Sequence, residues 1–373
     1  MTSVLIVPRS PTQRASILDI AKRANVSPAT VSRAFSQPEL LRADTLARIQ
    51  STALEIGFRP NRVGRSLRSG RSQTVGLILP TLANPVFAEC LAGAEDYARS
   101  QGYSVMVSTT RYDPDREQTA VQALLDHRVD ALILTVADAA RSPCLEALAH
   151  TGIPYVLAYN EARDHPFVSV DNRGAAGEVI DALASFGHRR IAFVSGPLSA
   201  SDRARSRLAG ARAKARKLGL NALGHLMMPA HTASDLNTLA GALASPQSPT
   251  ALFCSNDLLA AAVIADLVRL GLRVPHDISV CGFDGMAFGS LMTPALSSLE
   301  QPNQEIGARA CAHVLHRLND AEFAPASMRL PHRLILGATI AAAPAAHSPH
   351  LHVSPALPTF PAVPPTLLKR TFP

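Results

Sequence analysis

A short segment near the start of the chain combines small side chains with two that can hydrogen-bond to bases. In residues 27–35, Ser27 is a favourable helix N-cap and Pro28 suits the first helical turn. On such a helix Val31 and Ala34 point inward, because they lie three positions apart on one face. The opposite face carries Ala29, Thr30 and Arg33. The segment therefore predicts a helix that reads base edges in a DNA groove.

Two further helices are predicted around this segment. Ser16 followed three residues later by Asp19 is typical of a capping box, and residues 44–56 predict another helix that Gly57 ends. The apolar faces are expected at Ile17, Ile20, Ala21 and Ala24 of the first helix and at Leu46, Ile49, Ala53 and Ile56 of the last. Asn25 tolerates the left-handed backbone that the turn before the reading helix needs. The pattern indicates a small helix-turn-helix domain.

Positive charge is concentrated at this end of the chain. Residues 1–72 hold twelve Lys or Arg against four Asp or Glu, a net charge of +8. The whole chain carries +7, so the remaining residues sum to −1. Such an asymmetry is expected of a domain that neutralises phosphates and is steered to DNA.

Residues 17–67 resemble the head of the lactose-repressor (LacI/GalR) family of bacterial transcription regulators. The resemblance rests on four motifs: Asp19-Ile20-Ala21, the run from Val26 to Arg33, Gly57-Phe58-Arg59-Pro60-Asn61, and Arg65-Ser66-Leu67. A single helix-turn-helix pattern is weak evidence for any one family, but these four motifs in this order are specific to this family. The resemblance implies DNA contacts from Ser27, Pro28, Ala29, Thr30, Ser32 and Arg33, and from Asn61, Gly64, Leu67 and Arg68.

The second group of contacts belongs to a segment, 61–72, that is too short and polar to be stable alone as a helix. In the family it is a hinge helix that folds on DNA, and Leu67 falls on the position of a leucine that wedges between central base steps. Gly64 departs from the alanine usual there, which weakens the hinge helix by about 1 kcal/mol. Arg42 stands where the family often has a Ser N-cap, which weakens the third helix by about 1 kcal/mol.

From residue 74 onward, short apolar runs alternate with amphipathic helices. Strands are expected at 74–79, 103–107, 131–136, 154–158, 190–195, 251–255 and 278–282, and helices at 87–101, 116–127, 174–186, 206–218 and 258–270. This order predicts parallel, doubly wound sheets, and about 270 residues are enough for two lobes. The fold class is therefore an all-α helix-turn-helix head followed by an α/β domain similar to the two-lobed periplasmic binding proteins.

Polar loops follow the carboxyl ends of the predicted strands, where ligands of such sheets bind. The resemblance places effector contacts on these loops at Phe87, Asn160, Asp171, Arg207, Asn256 and Asp284. Simpler roles remain open for several of them. Asn256 and Asp257 could cap a helix, a role that suits Asp257 better; Asp284 could be a turn residue, Phe87 a core residue, and Arg207 part of a solvated face. The loop before Arg207, residues 199–206, is one residue longer than the usual family spacing. Arg203 and Arg205 in this loop therefore have no predicted role.

Carboxylate, amide and guanidinium side chains suit a polyhydroxylated ligand. We rank a neutral sugar or polyol first, a sugar acid second and a nucleobase third; the chain has no Trp to stack on a sugar face. The five cysteines, Cys90, Cys144, Cys254, Cys281 and Cys311, have no metal-site spacing, so we predict reduced thiols in a cytoplasm, no cofactor and no metal. No signal peptide or membrane-spanning run is expected.

The predicted organisation has five segments. Residues 1–14 form a disordered extension, 15–60 the DNA-binding domain, 61–72 the hinge and linker, 73–340 the effector and dimerisation domain, and 341–373 a disordered tail rich in Pro and Ala. The predicted function is a cytoplasmic, homodimeric, effector-controlled transcription regulator, most simply a repressor, on a palindromic operator. The alternative is a periplasmic-type solute-binding protein or a sugar-processing enzyme.

Overall fold

The computed structural model describes residues 15–58, 70–220, 223–320, 322–323 and 326–344. The chain divides into two compact units, Met1–Ser72 and Gln73–Pro373. The predicted hinge contacts Asn61, Gly64, Leu67 and Arg68 lie outside the described residues. The predicted extension at 1–14 and the part of the predicted 341–373 tail from residue 345 onward lie outside them as well. The first residues of that predicted tail are held by the second unit instead, since the amides of Ala341 and Ala343 donate to Ser279 Oγ and the Phe186 carbonyl.

The first unit contains three α-helices in its described part. They are α1 (Ile17–Ala24), α2 (Pro28–Ser36) and α3 (Ala43–Glu55). Ser16 and Asp19 form the predicted capping box, and Asn25 adopts the left-handed conformation at φ 51°. The Arg42 N-cap position of α3 makes no side-chain capping bond, as its residue type predicts. Ile20, Val31 and Ile49 are fully buried and join the three helices into one core.

The second unit alternates strands and helices through its described residues. Its strands are β1 (Thr74–Leu79), β2 (Ser104–Thr109), β3 (Ala131–Leu134), β4 (Tyr155–Ala158), β5 (Phe167–Val170), β6 (Ile191–Ser195), β7 (Gly224–Met227), β8 (Ala251–Cys254), β9 (Ser279–Asp284), β10 (Ser297–Glu300), β11 (Met328–Leu330) and β12 (Arg333–Ile335). Its helices are α4 (Pro85–Ser100), α5 (Pro114–Asp126), α6 (Pro143–Ala149), α7 (Asn172–Ser185), α8 (Asp202–Lys217), α9 (Leu236–Leu243), α10 (Asp257–Arg269), α11 (Phe288–Leu291) and α12 (Asn303–Asn319).

These strands form two six-stranded sheets, one in each lobe. The first lobe has the order β11-β5-β4-β3-β1-β2, and the second has β12-β10-β9-β8-β6-β7. The chain passes between the sheets after β5, after β10 and between β11 and β12. The two-lobed fold is confirmed, with one difference in the sheets: β12 runs antiparallel to β10, while the other described strand pairs are parallel. Three connections cross between the lobes, so a cleft forms where the strands of both sheets end.

Several elements have no clear sequence pattern. The strands β5, β7, β10, β11 and β12 lie outside the predicted set, because each has only three or four residues and no long apolar run. The predicted elements begin or end within a few residues of the observed ones. The exception is α8, which begins at Asp202 rather than at residue 206. That difference brings Arg203 into the first turn of the helix.

Glycines allow two helix pairs to approach closely. A Cβ on Gly93 of α4 would overlap the carbonyl oxygen of Gln304, and one on Gly307 of α12 would overlap the carbonyl oxygen of Cys90. Gly210 of α8 meets the backbone of Arg173 in the same way. In each case the neighbouring atom is backbone and cannot rotate away, so only glycine fits.

Replacing Gly307 with Ala is expected to lower the free energy of unfolding by about 1 to 3 kcal/mol, because α4 and α12 would have to separate. The matched control is Gly241→Ala on α9, where an added Cβ meets open space. That change should raise stability by about 0.5 to 1 kcal/mol. Urea denaturation of both variants measures the difference. Equal effects of the two substitutions would contradict the close approach of the helices.

Candidate functional site

The helix α2 presents the face predicted to read DNA. Val31 and Ala34 are buried, whereas Ala29 and Arg33 are exposed and Thr30 is partly exposed. Ser27 begins the helix as its N-cap, since its Oγ accepts a hydrogen bond from the amide of Thr30 at 3.1 Å. Pro28 occupies the first turn, and Ser32 is partly exposed. The sequence thus leaves one long, charged donor and several small residues on an outward face.

A cavity lies between the two lobes, at the carboxyl ends of their strands. Its volume is about 400 Å³ when the adjoining open solvent is counted. The first lobe contributes Asn84, Val86, Phe87, Tyr112 and Tyr159, and the second contributes Ser201, Arg203, Ala204, Arg207, His231, Ser255, Asn256, Asp284 and Gln301. We call this space the interlobe cavity. Four of the six predicted effector residues therefore line it: Phe87, Arg207, Asn256 and Asp284.

Arg207 and Asp284 form the charged centre of the interlobe cavity. The Arg207 guanidinium lies 3.6 Å from Asp284 Oδ1 and 3.5 Å above the ring centroid of Phe283. Its Nε donates to Asn172 Oδ1 at 2.9 Å and its Nη1 donates to the Ser255 carbonyl at 2.5 Å. Arg207 is 6% exposed, which excludes a solvated helix face. Burial lowers the pKa of Arg207 to about 10, so the group stays charged at neutral pH.

Asp284 ends β9 in a strained conformation, with φ at 118°. Its Oδ1 accepts a hydrogen bond from Gln301 Nε2 at 2.7 Å. Burial raises the pKa of this carboxyl to about 6, while the nearby Arg207 charge opposes the rise. Asp284 is therefore ionised at neutral pH, and its position is set by a salt bridge and a hydrogen bond rather than by an exposed turn.

Asn256 both caps α10 and faces the cavity. Its Oδ1 accepts from the amide of Leu259 at 2.9 Å, and its Nδ2 donates to the carbonyl of His231 at 2.7 Å. The expectation that Asp257 suits the cap better was wrong, because Asp257 is fully buried and accepts from the amide of Met286. Phe87 has both of the roles considered for it, because it belongs to the core and also lines the cavity. Its ring centroid lies 5.6 Å from that of Tyr159.

The other two predicted residues lie outside the lining of the interlobe cavity. Asn160 is buried, and its amide is occupied by the backbone of Val136 and by the carboxylate of Asp202. Asp171 is the N-cap of α7, where its Oδ1 accepts from the amide of Gly174 at 2.9 Å. Both follow strand ends as the effector prediction requires, but their polar atoms are directed to the protein itself.

Several lining residues are absent from the predicted set. The polar ones are Asn84, Tyr112, Tyr159, Ser201, Arg203, His231, Ser255 and Gln301. His231 follows β7, a strand without a clear sequence pattern, and Arg203 has no predicted role because of the longer loop before α8. Tyr112 follows β2 by three residues, so the rule that places Asp284 could have identified it.

Four buried polar atoms of this lining have no hydrogen-bond partner within the described part of the chain. They are Arg203 Nη2, His231 Nε2, Ser255 Oγ and Gln301 Oε1. Buried polar atoms in native proteins are almost always paired with protein, water or ligand. Their concentration in one cavity indicates a binding site for a small polar molecule.

Asp257 lies beside the cavity, and its carboxyl group holds the loop after β9 in place through two hydrogen bonds. Its Oδ2 accepts from the Met286 amide at 2.7 Å, and its Oδ1 accepts from Ser298 Oγ at 2.5 Å. Burial raises its pKa from the ordinary 3.8 to about 8. Because the unfolded chain releases the Asp257 proton at lower pH, the stability that Asp257 contributes is complete below about pH 4 and is lost as the pH rises to about 8.

The free energy of unfolding is therefore expected to fall with rising pH, by about 1.4 kcal/mol per pH unit while one proton is being released. Asp257→Asn should flatten this dependence in urea denaturation between pH 5 and 8. Part of the slope should remain, because burial also raises the pKa of Glu117 to about 7 and that of Asp284 to about 6. Asp277→Asn is the control, since Arg273 lowers the pKa of that carboxyl. An Asp257→Asn profile as steep as the parent's would refute the assignment.

Other site types receive little support from the described residues. No helix in the described ranges has the length and apolar character to cross a membrane. Within the same ranges, no cluster of His, Cys, Asp and Glu has the geometry of a metal site. All five cysteines are buried free thiols.

The comparisons with known proteins agree with this arrangement. A family model described as "Bacterial regulatory proteins, lacI family" matches residues 16–61, and one described as "Periplasmic binding proteins and sugar binding domain of LacI family" matches residues 72–338. Catabolite control protein A of Priestia megaterium is 30% identical over 323 residues, which cover 86% of this chain and 97% of that protein. The transcriptional repressor CytR of Escherichia coli (strain K12) is 29% identical over 340 residues, covering 88% and 97%.

A solved structure gives the same result in three dimensions. The crystal structure of the Lac repressor dimer bound to operator and the anti-inducer ONPF has a TM-score of 0.80 and 26% sequence identity, and the match covers 88% of this chain and 100% of that chain. A helix-turn-helix unit followed by a two-lobed domain with a polar cleft defines a DNA-binding transcriptional regulator under small-molecule control. The chain belongs to the LacI family of bacterial regulatory proteins.

Proposed function

We propose that a small polyhydroxylated effector binds in the interlobe cavity and controls operator binding by changing how the lobes close. The observation that carries this proposal is the group of four unpartnered polar atoms on Arg203, His231, Ser255 and Gln301. A ligand that donates and accepts hydrogen bonds at many positions would satisfy them. Phe87, Arg207, Asn256 and Asp284 complete the proposed contact set, which excludes Asn160 and Asp171.

The effector classes that fit are a neutral sugar or polyol, a sugar acid and a nucleobase. A polyhydroxylated ligand is favoured over a nucleobase because the unpartnered atoms include both donors and acceptors, and each hydroxyl can serve either. We propose no catalytic role: the lining offers amide, guanidinium, imidazole and carboxylate groups suited to binding hydroxyls, and the relatives compared above are regulators.

For DNA recognition, we propose that α2 enters the major groove and that Arg33 contacts a base in each half-site. Ser27, Pro28, Ala29, Thr30 and Ser32 would approach the same groove or its phosphates. We also propose that the hinge segment contacts the DNA through Asn61, Gly64, Leu67 and Arg68. One such helix reads too few base pairs for specificity, which supports a homodimer on a palindromic operator in the bacterial cytoplasm.

Selection of bound sequences from a random DNA library by the full chain tests the proposal directly. We expect a palindromic site, and we expect at least one compound from a panel of sugars, polyols, sugar acids and nucleobases to change the affinity for that site at fixed salt. Selection without a preferred sequence would refute the DNA-binding role. A preferred sequence whose binding no compound alters would refute control through the cavity.

A further inference from the structure

Arg203 is a buried cation, and one of its guanidinium nitrogens has no hydrogen-bond partner among the described residues. It lies in the first turn of α8 and is 6% exposed. Its Nη1 donates to the carbonyl of Val136 at 2.7 Å and lies 3.4 Å from Asp202 Oδ1. Its Nη2 is buried at the interlobe cavity and has no partner within the described residues. A guanidinium removed from water needs its donors satisfied, so this one lacks an acceptor.

The two arginines that line the interlobe cavity share their carboxylate partners with other donors. Two arginines, Arg203 and Arg207, face one carboxylate, Asp284. Asp284 is already engaged by Arg207 at 3.6 Å and by Gln301. Asp202 pairs with Arg203 Nη1 at 3.4 Å but is shared, since its carboxylate also accepts hydrogen bonds from the Asn160 side chain and the Ala139 amide. Arg203 therefore has only a shared counterion, and its Nη2 is left without an acceptor among the residues that the structure describes.

The atoms around Arg203 are mainly acceptors or adaptable groups. His231 packs against Tyr112 with ring centroids 4.8 Å apart, and the backbone carbonyl of Pro197 accepts a hydrogen bond from its imidazole. Burial and the charge of Arg203 lower the pKa of His231 to about 4, so at neutral pH its unpartnered Nε2 is an acceptor. Gln301 Oε1 is a second acceptor, and Ser255 Oγ can donate or accept. Acceptors of this kind suit hydroxyl groups.

We infer that the effector is a small hydroxylated anion whose carboxylate or phosphate binds Arg203 and whose hydroxyls bind His231, Gln301 and Ser255. This inference rests on the proposed effector role of the cavity and narrows it. Both anions can offer a charged oxygen to Nη2, the Arg203 nitrogen that lacks an acceptor while Nη1 is engaged by Val136 and Asp202. A neutral sugar would offer Arg203 Nη2 an uncharged acceptor, whereas an anion offers a charged one and so a stronger hydrogen bond. This difference places an acid ahead of the neutral ligand that we rank first from the sequence.

Calorimetry on the full chain with matched compounds separates these cases. The carboxylates are D-gluconate, D-glucuronate and D-galacturonate, the phosphates are glucose 6-phosphate and galactose 6-phosphate, and the neutral counterparts are D-glucose, D-galactose and sorbitol. We expect a member of one anionic group to bind. Its neutral counterpart should bind at least about tenfold more weakly. Whether carboxylates or phosphates bind identifies the source of the anion.

Three variants test the role of Arg203. Arg203→Gln should weaken binding of the anion by about tenfold or more, and Arg203→Lys should restore part of it, because the charge returns without the planar guanidinium that places Nη2 at the cavity. Arg205→Gln is the control: it removes a neighbouring arginine that pairs with Asp138 at 2.8 Å and does not line the cavity. Circular dichroism verifies folding. If Arg203→Gln does not fold, Arg203→Lys and His231→Gln carry the test, and both should weaken binding of the hydroxylated anion.

The outcomes distinguish this inference from the proposed function. Binding of a neutral sugar as tight as that of its acid, unchanged in Arg203→Gln, would overturn the anionic effector and leave the effector role of the cavity intact. Anion binding that Arg205→Gln weakens as much as Arg203→Gln would overturn the assignment to Arg203. Binding by no member of the panel would contradict both the inference and the proposed class of effector.

Discussion

Replacing Arg33 with Ala is expected to weaken binding to the selected operator by about 1 to 3 kcal/mol for each base that the arginine reads. A dimer carries the substitution in both half-sites, so the total is expected to reach about 2 to 6 kcal/mol. The reason is geometric: among the described residues of α2, Arg33 is the one long, charged donor, and it lies beside the small residues Ala29 and Thr30. Binding-site selection with the variant should show relaxed preference at one position in each half-site.

Arg48→Ala provides the control for charge. Arg48 is also exposed in the head but lies on α3, away from the reading face of α2. Removal of this charge should weaken binding to all sequences about equally and reduce the salt dependence, because phosphate contacts carry no sequence information. If Arg33→Ala behaved in the same way, with its sequence preference unchanged, Arg33 would be a phosphate contact rather than a base contact.

Asp284→Asn is expected to abolish the response to effector. The substitution keeps the shape of the side chain and an acceptor for Gln301, but it removes the charge that faces Arg207. Each ligand hydroxyl that is deprived of a charged acceptor costs about 1.5 to 3 kcal/mol, or roughly a ten- to hundredfold weaker affinity. An effector can shift operator binding only by its differential affinity for two lobe arrangements, typically about 1 to 3 kcal/mol. A decrease of this size therefore removes the response at ordinary effector concentrations.

Operator titrations with and without effector, at one salt concentration, measure this response. Without effector the Asp284→Asn variant should bind operator about as tightly as the parent, since Asp284 lies in the second unit, outside the head. Asp277→Asn removes a partly exposed carboxylate that pairs with Arg273 at 2.8 Å, and it should respond like the parent. A normal response in Asp284→Asn would mean that the effector binds elsewhere.

The residues of the interlobe cavity follow only in part from the sequence. The rule that ligands bind beyond the carboxyl ends of parallel strands selects the correct edge of both sheets. Asp284 and Asn256 follow from it directly. The same rule selects Asn160 and Asp171, because it cannot tell whether a side chain turns into the cleft or toward its own backbone. Asn160 is held by Val136 and Asp202, and Asp171 by the amide of Gly174.

Other cavity residues have no signal in the sequence, because their position at the cavity depends on long-range packing. His231 follows a four-residue edge strand, β7, whose place in the sheet is set by pairing with β6 rather than by its own pattern. Arg203 faces the cavity only because α8 begins at Asp202, whose amide donates to the carbonyl of Ala137 on the other lobe. Neither feature has a local signature.

The sequence by itself determined the head, because a helix-turn-helix is built from local interactions. Capping at Ser16 and Ser27, the left-handed Asn25 and the helical spacing of Ile20, Val31 and Ile49 are all read within a few turns of chain. It also determined the class of the second unit, since alternating strands and helices admit few topologies. Only the tertiary structure decided the chemistry of the cavity. Its polar atoms come from residues as far apart as Asn84 and Gln301, and an unpartnered buried donor such as Arg203 Nη2 can be recognised only when every neighbour is in place.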